Sequence, residues 1–568
     1  MTTRASKAHW LELYTPKLIT ILREKYGFKD FQADVIAGLT VAIVALPLSM
    51  AIAIASGVTP DRGLYTAIVG GFLVSLLGGS RFQIGGPAGA FIVLVAAVVH
   101  QYGIDGLILA TTLSGIIFIA IGLLQLGTFI KYIPFPVTVG FTTGIAVIIF
   151  ASQVKDLFGL TLVAPEPGPL LPKLMVLWES FPSISVAATV LSVATIAIII
   201  SIQKLAPKIP GMLVAITLAS IAAALFGLPV ETIGTKFGGI PRSLPMPSLP
   251  KISLSKVIEV LPAAVSFTLL GSIESLLSAV VADSMTGRRH RSNCELVAQG
   301  IANIGSALFG GFCVTGTIAR TATNVRSGSH GPVSGMLHAV FLLLFMLIAA
   351  PLAGYIPLAA LAGVLAVVAW NMAEKHEFNV LMRASAGDAV VLLATFLLTI
   401  FRDLTEGIVV GFSLGALLFL HRMATSIRIE NNLPDNSVDI PDMDDNRTEY
   451  DSTLVKDDRI VVYRISGAFF FGAAGTVGKA LEQASAWPEA IIIDFSDVPI
   501  IDSTASATIN AFIGKAKRNQ SVIYLTGTRP AVRRSLLAHG IKWPLVHYQA
   551  DIDTAINIVK DKLVSEES

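Results

Sequence analysis

The chain has 568 residues, of which 53% are hydrophobic and 14% charged, with a net charge of +2. Soluble domains carry about 25% charged residues, so this composition excludes an ordinary soluble protein; the small net charge singles out no partner, and nothing suggests nucleic-acid binding. Residues 33 to about 421 are almost wholly apolar and the charges gather at the two ends. That pattern describes an integral membrane domain with a polar tail. Cys294 and Cys313 are the only cysteines and are read as reduced and structural. The first 30 residues contain no apolar run of the kind a cleavable signal needs, so the first true span is expected to direct insertion.

Residues 1–32 carry Arg4, Lys7, Lys17, Arg23, Lys25 and Lys29. An excess of Lys and Arg beside a first span places that end in the cytoplasm. Trp10, Leu11, Tyr14, Leu18, Ile19 and Leu22 recur at helical spacing, which fits a helix lying on the membrane surface or, equally, a cap on a cytoplasmic face. A spanning helix needs about 20 apolar residues. Such runs occur at 33–56, 64–79, 104–126, 136–159, 184–204, 211–228, 260–283, 333–350, 353–372, 387–401 and 403–421, with shorter or interrupted ones at 87–100, 294–309 and 315–326. The total of about fourteen is even, so both termini are expected in the cytoplasm. The loop 160–183, with Pro165, Pro167, Pro169 and Pro172, reads as external. The stretch 238–251, with Pro241, Pro245, Pro247 and Pro250, links two halves.

Each half contains one break of the same design. The first runs Gly78-Gly79-Ser80-Arg81-Phe82-Gln83-Ile84-Gly85-Gly86-Pro87-Ala88-Gly89-Ala90. The second runs Gly310-Gly311-Phe312-Cys313-Val314-Thr315-Gly316-Thr317-Ile318-Ala319-Arg320 and on to Asn324. Both are a glycine pair, a short extended run and a helix start. Irregular backbone at membrane depth is tolerated only where it is buried in protein or lines a watery cavity. Corresponding interrupted segments in two halves point to a transporter binding site near the midplane. Seven segments per half would invert one half relative to the other, so the two half-helix N-termini would face each other, offering free N–H groups and positive dipole ends to an anion.

After His421 the composition changes. Residues 426–452 form an acidic linker, with Asp435, Asp439, Asp442, Asp444, Asp445, Glu449 and Asp451. Residues 453–568 then alternate strand and helix patterns: strand Arg459–Ile465, helix Val477–Ser485, strand Ala490–Phe495, helix Ser503–Lys517, strand Ser521–Leu525 and a helix from Pro530 to Leu537 with proline in its first turn. Strands alternating with helices imply a small α/β domain.

Pro47-Leu48-Ser49-Met50-Ala51, Gly63-Leu64-Tyr65, both glycine-rich breaks and Ser272-Ile273-Glu274-Ser275-Leu276-Leu277 resemble the SulP anion transporters, the sulfate permeases. Ile501-Asp502-Ser503-Thr504 resembles the STAS domain those proteins carry. The likeness runs in order from about residue 30 to 560, and the wording of Ile273–Gly287 is most similar to the bacterial branch that includes C4-dicarboxylate carriers. The resemblance implies an all-α polytopic membrane domain in a seven-plus-seven inverted repeat, with a core (segments 1–4 and 8–11) sliding against a gate as an elevator, followed by an α/β STAS domain. It also implies a homodimer in a bacterial inner membrane. Expected function is secondary active transport of a small anion coupled to H⁺ or Na⁺, the substrate being a C4-dicarboxylate, sulfate or bicarbonate; an uncoupled exchanger or channel of the same fold is the alternative. Neither an enzyme nor a cofactor is expected, since no metal-ligand spacing, nucleophile–base set or phosphate loop is present.

The candidate substrate cradle is Pro87, Ala88, Gly89 and Ala90 with Gly316, Thr317, Ile318, Ala319 and Arg320, and Ser49 from the broken first span. Small residues let backbone N–H groups approach a ligand, although in any bundle they also allow tight packing. Relatives often place serine where Ala319 stands, so a hydroxyl is absent there. Arg320 supplies positive field to the anion or fixes Glu274. A mid-span carboxylate such as Glu274 costs at least ~2.5 kcal/mol and is functional by default. It either carries the coupling ion, with Ser278 one turn later as co-ligand, or is a structural partner of Arg320. Arg402, Asp403 and Glu406 are expected to pair near a short loop, and His100 and His338 to be core or interface histidines. Ser503 or Asp502 caps a helix in the tail; Ser503 is also the position phosphorylated in soluble STAS proteins, so it is a candidate regulatory residue and the tail a candidate docking domain for a cytoplasmic protein.

Overall fold

A computed structural model of the chain describes residues 12–163, 166–167, 169–206, 209–250, 252–402, 404–431, 459–482 and 487–567. Arg4, Lys7, Trp10, Leu11, Pro165, Asp403, Ser485 and the acidic residues 435–451 lie outside the described residues. The chain divides into two compact units, Met1–Ser413 and Leu414–Ser568.

In the first unit α1 (Lys17–Arg23) is followed by α2 (Phe28–Ala55). α3 (Pro60–Tyr65) passes through a π turn, Thr66–Gly70, into α4 (Gly71–Leu77). The first break leads through a 3₁₀ turn, Gly89–Phe91, into α5 (Ile92–Leu123). α5 joins the two segments expected at 87–100 and 104–126: Gly103 between them has φ 69°, a conformation that glycine adopts without steric cost. α6 (Phe135–Phe158), α7 (Leu170–Ser180), α8 (Val186–Leu205), α9 (Gly211–Leu225) and a short α10 (Ile233–Phe237) complete the first half. The second half holds α11 (Leu254–Thr286), α12 (Ser292–Leu308), the second break with α13 (Ile318–Arg326), α14 (Val333–Ala353), α15 (Leu358–Met372), α16 (Lys375–Ala384), α17 (Ala386–Phe401) and α18 (Leu404–Thr425). Eight of the described helices are long and apolar enough to cross a membrane.

The helices pack as two groups. α5 lies on α11 and α12, α2 on α14, α4 on α12 and α14, and α13 on α11 and α2. In the other group α6 lies on α15 and α17, and α8 on α9 and α15. These groups are segments 1–4 with 8–11 and segments 5–7 with 12–14, the division expected for a core and a gate. Glycine permits the closest crossings: a Cβ on Gly115 of α5 or Gly300 of α12 would run into the other's backbone oxygen at 2.6 and 2.5 Å.

Two local features differ from expectation, and a third follows one of the two readings given for the N-terminus. The loop 160–183 contains helix α7, because Pro169 and Pro172 stand at its N-cap and first turn, where no N–H donor is needed, and its Lys173 is buried against Glu166 at 3.0 Å. α16 is a short amphipathic helix unmarked by any apolar run. The N-terminal segment is a cap on the core group: Arg81 pairs with Glu24 at 2.5 Å, Lys17 N–H donates to Gly78 O at 2.9 Å, Tyr14 OH donates to Gly122 O at 2.8 Å, and Arg291 donates to Thr15 O. The guanidinium of Arg81 holds the Glu24 carboxyl below its usual range.

In the second unit β3 (Arg428–Asn431), β4 (Ile460–Ser466), β5 (Ala490–Asp497), β6 (Val522–Thr526) and β7 (His547–Tyr548) form one sheet in that order. β3 pairs antiparallel with β4, and the other neighbours are parallel. Helices α19 (Phe471–Glu482), α20 (Ser503–Arg518), α21 (Pro530–Ala538) and α22 (Ile552–Glu567) cover it. The boundary placed at residue 453 is corrected by β3. Arg428–Asn431 belongs to the sheet, with Ile429 packed on its core, so the acidic stretch connects two strands of one domain. Four residues are too few to stand out beside the large change of composition at His421.

Candidate functional site

The two breaks meet. β1 (Gly85–Gly86) and β2 (Thr315–Gly316) form an antiparallel pair in which Gly85 faces Gly316 and Gly86 faces Thr315. Ala88 and Thr317 are extended, at φ −107° and −109°, and helix begins immediately after each. The first N–H groups of a helix have no partner within it and carry the positive end of its dipole. Pro87, Ala88, Gly89 and Ala90 are thereby brought beside Gly316, Thr317, Ile318 and Ala319 from the opposite half. Pro87, Ala88, Ala90, Gly316 and Thr317 are buried; Gly89 and Ile318 are half-buried and Ala319 is exposed. The cradle opens on that last side.

A stitching of side chains holds this geometry. Thr317 N–H donates to Ile84 O at 3.0 Å, Ile84 N–H to Thr321 Oγ1 at 3.1 Å, and Asn324 Nδ2 to Phe82 O at 2.9 Å. α12 contributes a fully buried polar stripe, Glu295, Gln299 and Asn303. Ser80 N–H donates to Glu295 Oε2 at 3.0 Å in the first break. In the second, Val314 N–H donates to Asn303 Oδ1 at 3.1 Å while Asn303 Nδ2 donates to Val314 O at 2.9 Å. Burying these amides costs about 1–3 kcal/mol per unpaired group, which the stripe avoids. The sequence reading did not single these residues out; their signal is polar side chains four apart, one face of a helix, in an apolar segment.

Arg320 is 2% exposed. Its Nη2 donates to Ser49 Oγ at 3.2 Å and Pro87 O at 3.3 Å, and Nη1 lies against Gly86. Nε and Nη1 have no hydrogen-bond partner among the described residues. The guanidinium is thus held against Gly86 and Pro87 of the first break, where it acts through its field. Ser49 is fully buried and engaged with Arg320. No hydrogen bond or ion pair joins Arg320 to Glu274 among the described residues, so the reading of Glu274 as its structural partner finds no contact.

Glu274 on α11 is half-buried. Ser278 is fully buried and its Oγ donates to Thr321 Oγ1 at 2.9 Å. Ser275 Oγ accepts from Gln83 Nε2 at 2.8 Å. The turn 274–278 thus anchors both breaks while leaving the Glu274 carboxyl unbonded among the described residues. A cation here would draw on oxygens of Glu274, Ser278 and Thr321; no cluster of three His, Cys, Asp or Glu exists among the described residues. Opposite the cradle stand gate residues. A Cβ placed on Gly89 would lie 3.6 Å from Ile149 Cδ1 of α6 and 3.9 Å from Met372 Sδ of α15. Glu374, two residues on, accepts from Thr142 Oγ1 at 3.4 Å.

Elsewhere, His338 is buried, His100 is exposed at its helix end, and Arg402 pairs with Glu406 at 3.3 Å. In the second unit Asp502 is the cap: Oδ1 accepts from Ala505 N–H at 2.8 Å and Oδ2 from Phe471 N–H at 2.9 Å, joining the starts of α20 and α19. Ser503 is the exposed first residue of α20.

Residues 31–395 match the sulfate permease family and residues 452–555 the STAS domain. The chain is 39% identical over 521 residues to the putative sulfate transporter YvdB of Bacillus subtilis, covering 91% of this chain and 95% of that protein. It is 32% identical over 540 residues to the bicarbonate transporter BicA of a Picosynechococcus species, covering 91% and 92%. Its fold matches the solved structure of murine Solute Carrier 26 family member A9 with a TM-score of 0.85 at 18% identity, covering 97% of this chain and 95% of that one. With two paired breaks in a polytopic helical domain and an α/β tail, the chain belongs to the sulfate permease family, whose members are transporters and not enzymes, and it carries a STAS domain.

Proposed function

We propose that this protein is a secondary active carrier of a small oxyanion, with sulfate or bicarbonate ahead of C4-dicarboxylates, driven by H⁺ through Glu274 and working as an elevator. The observation that carries the reading is the β1–β2 pair, which sets two half-helix N-termini side by side with the Arg320 guanidinium behind them. Together they make a positive field without a bonded counter-charge, and an anion at the open side neutralises it. Sulfate and bicarbonate come from the names of the relatives at 39% and 32% identity. Glu274 favours coupling, because a channel or uncoupled exchanger has no need of an acid at mid-span. Na⁺ in place of H⁺ is the nearest alternative, with Ser278 and Thr321 supplying further oxygens. The packing of the helices into two groups supports movement of one against the other. Cytoplasmic termini, which rest on the Lys and Arg excess and the even number of segments, and a homodimer, residence in a bacterial inner membrane and a cytoplasmic partner for the STAS domain, which rest on the family resemblance, belong to the same proposal.

The test is uptake of labelled sulfate, bicarbonate and succinate into proteoliposomes, with and without gradients of pH and Na⁺. We expect an inward pH gradient to accelerate uptake and Glu274→Gln to abolish that acceleration. A Glu274→Gln protein with the wild-type pH dependence sinks the coupling role; acceleration by Na⁺ alone selects the alternative ion.

A further inference from the structure

The cradle has an unequal distribution of chemistry. Its positive field comes from the N–H groups of the two half-helices and from Arg320. What stands against Gly89 from the gate is apolar, with an acid two residues further along the chain. Ile149 Cδ1 and Met372 Sδ stand within van der Waals reach of the Gly89 position, and Glu374 follows Met372 by two residues. Thr142, which binds Glu374, lies two turns before Ile149 on α6 and so on the same helix face. The half-buried Ile318 and the exposed Ala319 of the cradle bring no donor side chain.

We propose that Ile149, Met372 and Glu374 form a selectivity wall that limits the site to compact anions whose charge sits on one centre. The inference rests on the anion-carrier reading above and names which residues decide among its substrates. An oxyanion the size of sulfate or bicarbonate places its charge against the N–H groups and turns no second charged group toward the gate. An extended dicarboxylate bound by one end must desolvate its other carboxylate against two apolar side chains, which is costly without a donor, and the next polar group along the gate chain, Glu374, is an acceptor and not a donor. Discrimination of this kind works by an unfavourable contact with the wrong ligand. The guanidinium of Arg320 is held by Ser49 and Pro87 and not by any gate residue among the described residues.

The experiment compares labelled sulfate, bicarbonate and succinate uptake in proteoliposomes of wild type, Ile149→Ala, Met372→Ala and Glu374→Arg, with excess succinate as a competitor of sulfate uptake. We expect the wild type to carry a compact anion and to ignore succinate at 100-fold excess. Glu374→Arg should raise the succinate-to-sulfate uptake ratio by tenfold or more, and each alanine variant by a few-fold. A rise in succinate uptake is a gain that misfolding cannot produce. Wild-type uptake of succinate on a par with the compact anions overturns the wall, as does an unchanged ratio in all three variants while compact-anion uptake persists. Uptake of none of the three anions by wild type overturns the carrier reading and the wall together.

Discussion

Gly316 of the second break rests against the side-chain amide of Gln83 from the first, and a Cβ at Gly316 would overlap that amide. The counterpart holds across the strand pair, where Gly86 of the first break rests against the guanidinium of Arg320 from the second. Each break is thus braced by a long polar side chain of the other, and each brace passes beneath a glycine because no side chain fits between.

Gly316→Ala should therefore destabilise the protein by ~1–3 kcal/mol, the usual range for overpacking, and abolish anion uptake. Gln83→Ala in the same chain should restore part of both, giving a coupling of ~1–2 kcal/mol in a double-mutant cycle. Thermal unfolding of the purified protein and uptake in proteoliposomes read the two effects; additive losses would mean that the contact is not the cause.

Arg320→Met keeps the length of the side chain and removes its charge. Opposite unit charges roughly 6–10 Å apart attract by about 2–3 kcal/mol at an effective dielectric near 20. The apparent KM for the transported anion should rise by about 10- to 100-fold while the folded protein persists. An unaltered KM would show that the guanidinium only fills space behind Gly86.

Asn303→Leu removes both partners of Val314, leaving a buried N–H and a buried C=O unpaired. The expected cost is ~2–5 kcal/mol in all, seen as a lower unfolding temperature and as faster amide exchange at residues 312–316. Unchanged exchange there would remove α12 from the support of the second break.

The Arg81–Glu24 pair makes the docking of the N-terminal segment pH-dependent. Arg81 lowers the folded-state pKa of Glu24, so the stabilisation is present above the unfolded value of about 4.3 and is lost as pH falls through the lower folded value. Glu24 is partly exposed, which screens the pair to ~1 kcal/mol or less. Protease cleavage near Arg23 should increase as pH drops below about 4, with an acid-active protease as the probe, and Glu24→Gln should show the increased cleavage already at neutral pH.

The transmembrane segments were legible because an apolar run of about 20 residues has few alternatives in a membrane. The breaks were legible because glycine pairs and an arginine cannot continue such a run. The same logic failed for α7, α16 and β3, where short elements take their stability from neighbours and leave little trace in composition. Glu274 stood out as a lone carboxylate, whereas Glu295, Gln299 and Asn303 lay in a segment whose polar face was not read as structural.

By itself the sequence determined a polytopic membrane domain with two equivalent interruptions, a mid-span acid and an α/β tail, since periodicity and composition act locally along the chain. Only the tertiary structure decided which groups meet. It set Gly85 opposite Gly316, sent Arg320 to Ser49 and Pro87 with no bond to Glu274 among the described residues, and brought Ile149 and Met372 against Gly89. Those pairings include residues 271 positions apart, and contacts at such separation follow from how helices pack against one another, which no window of sequence encodes.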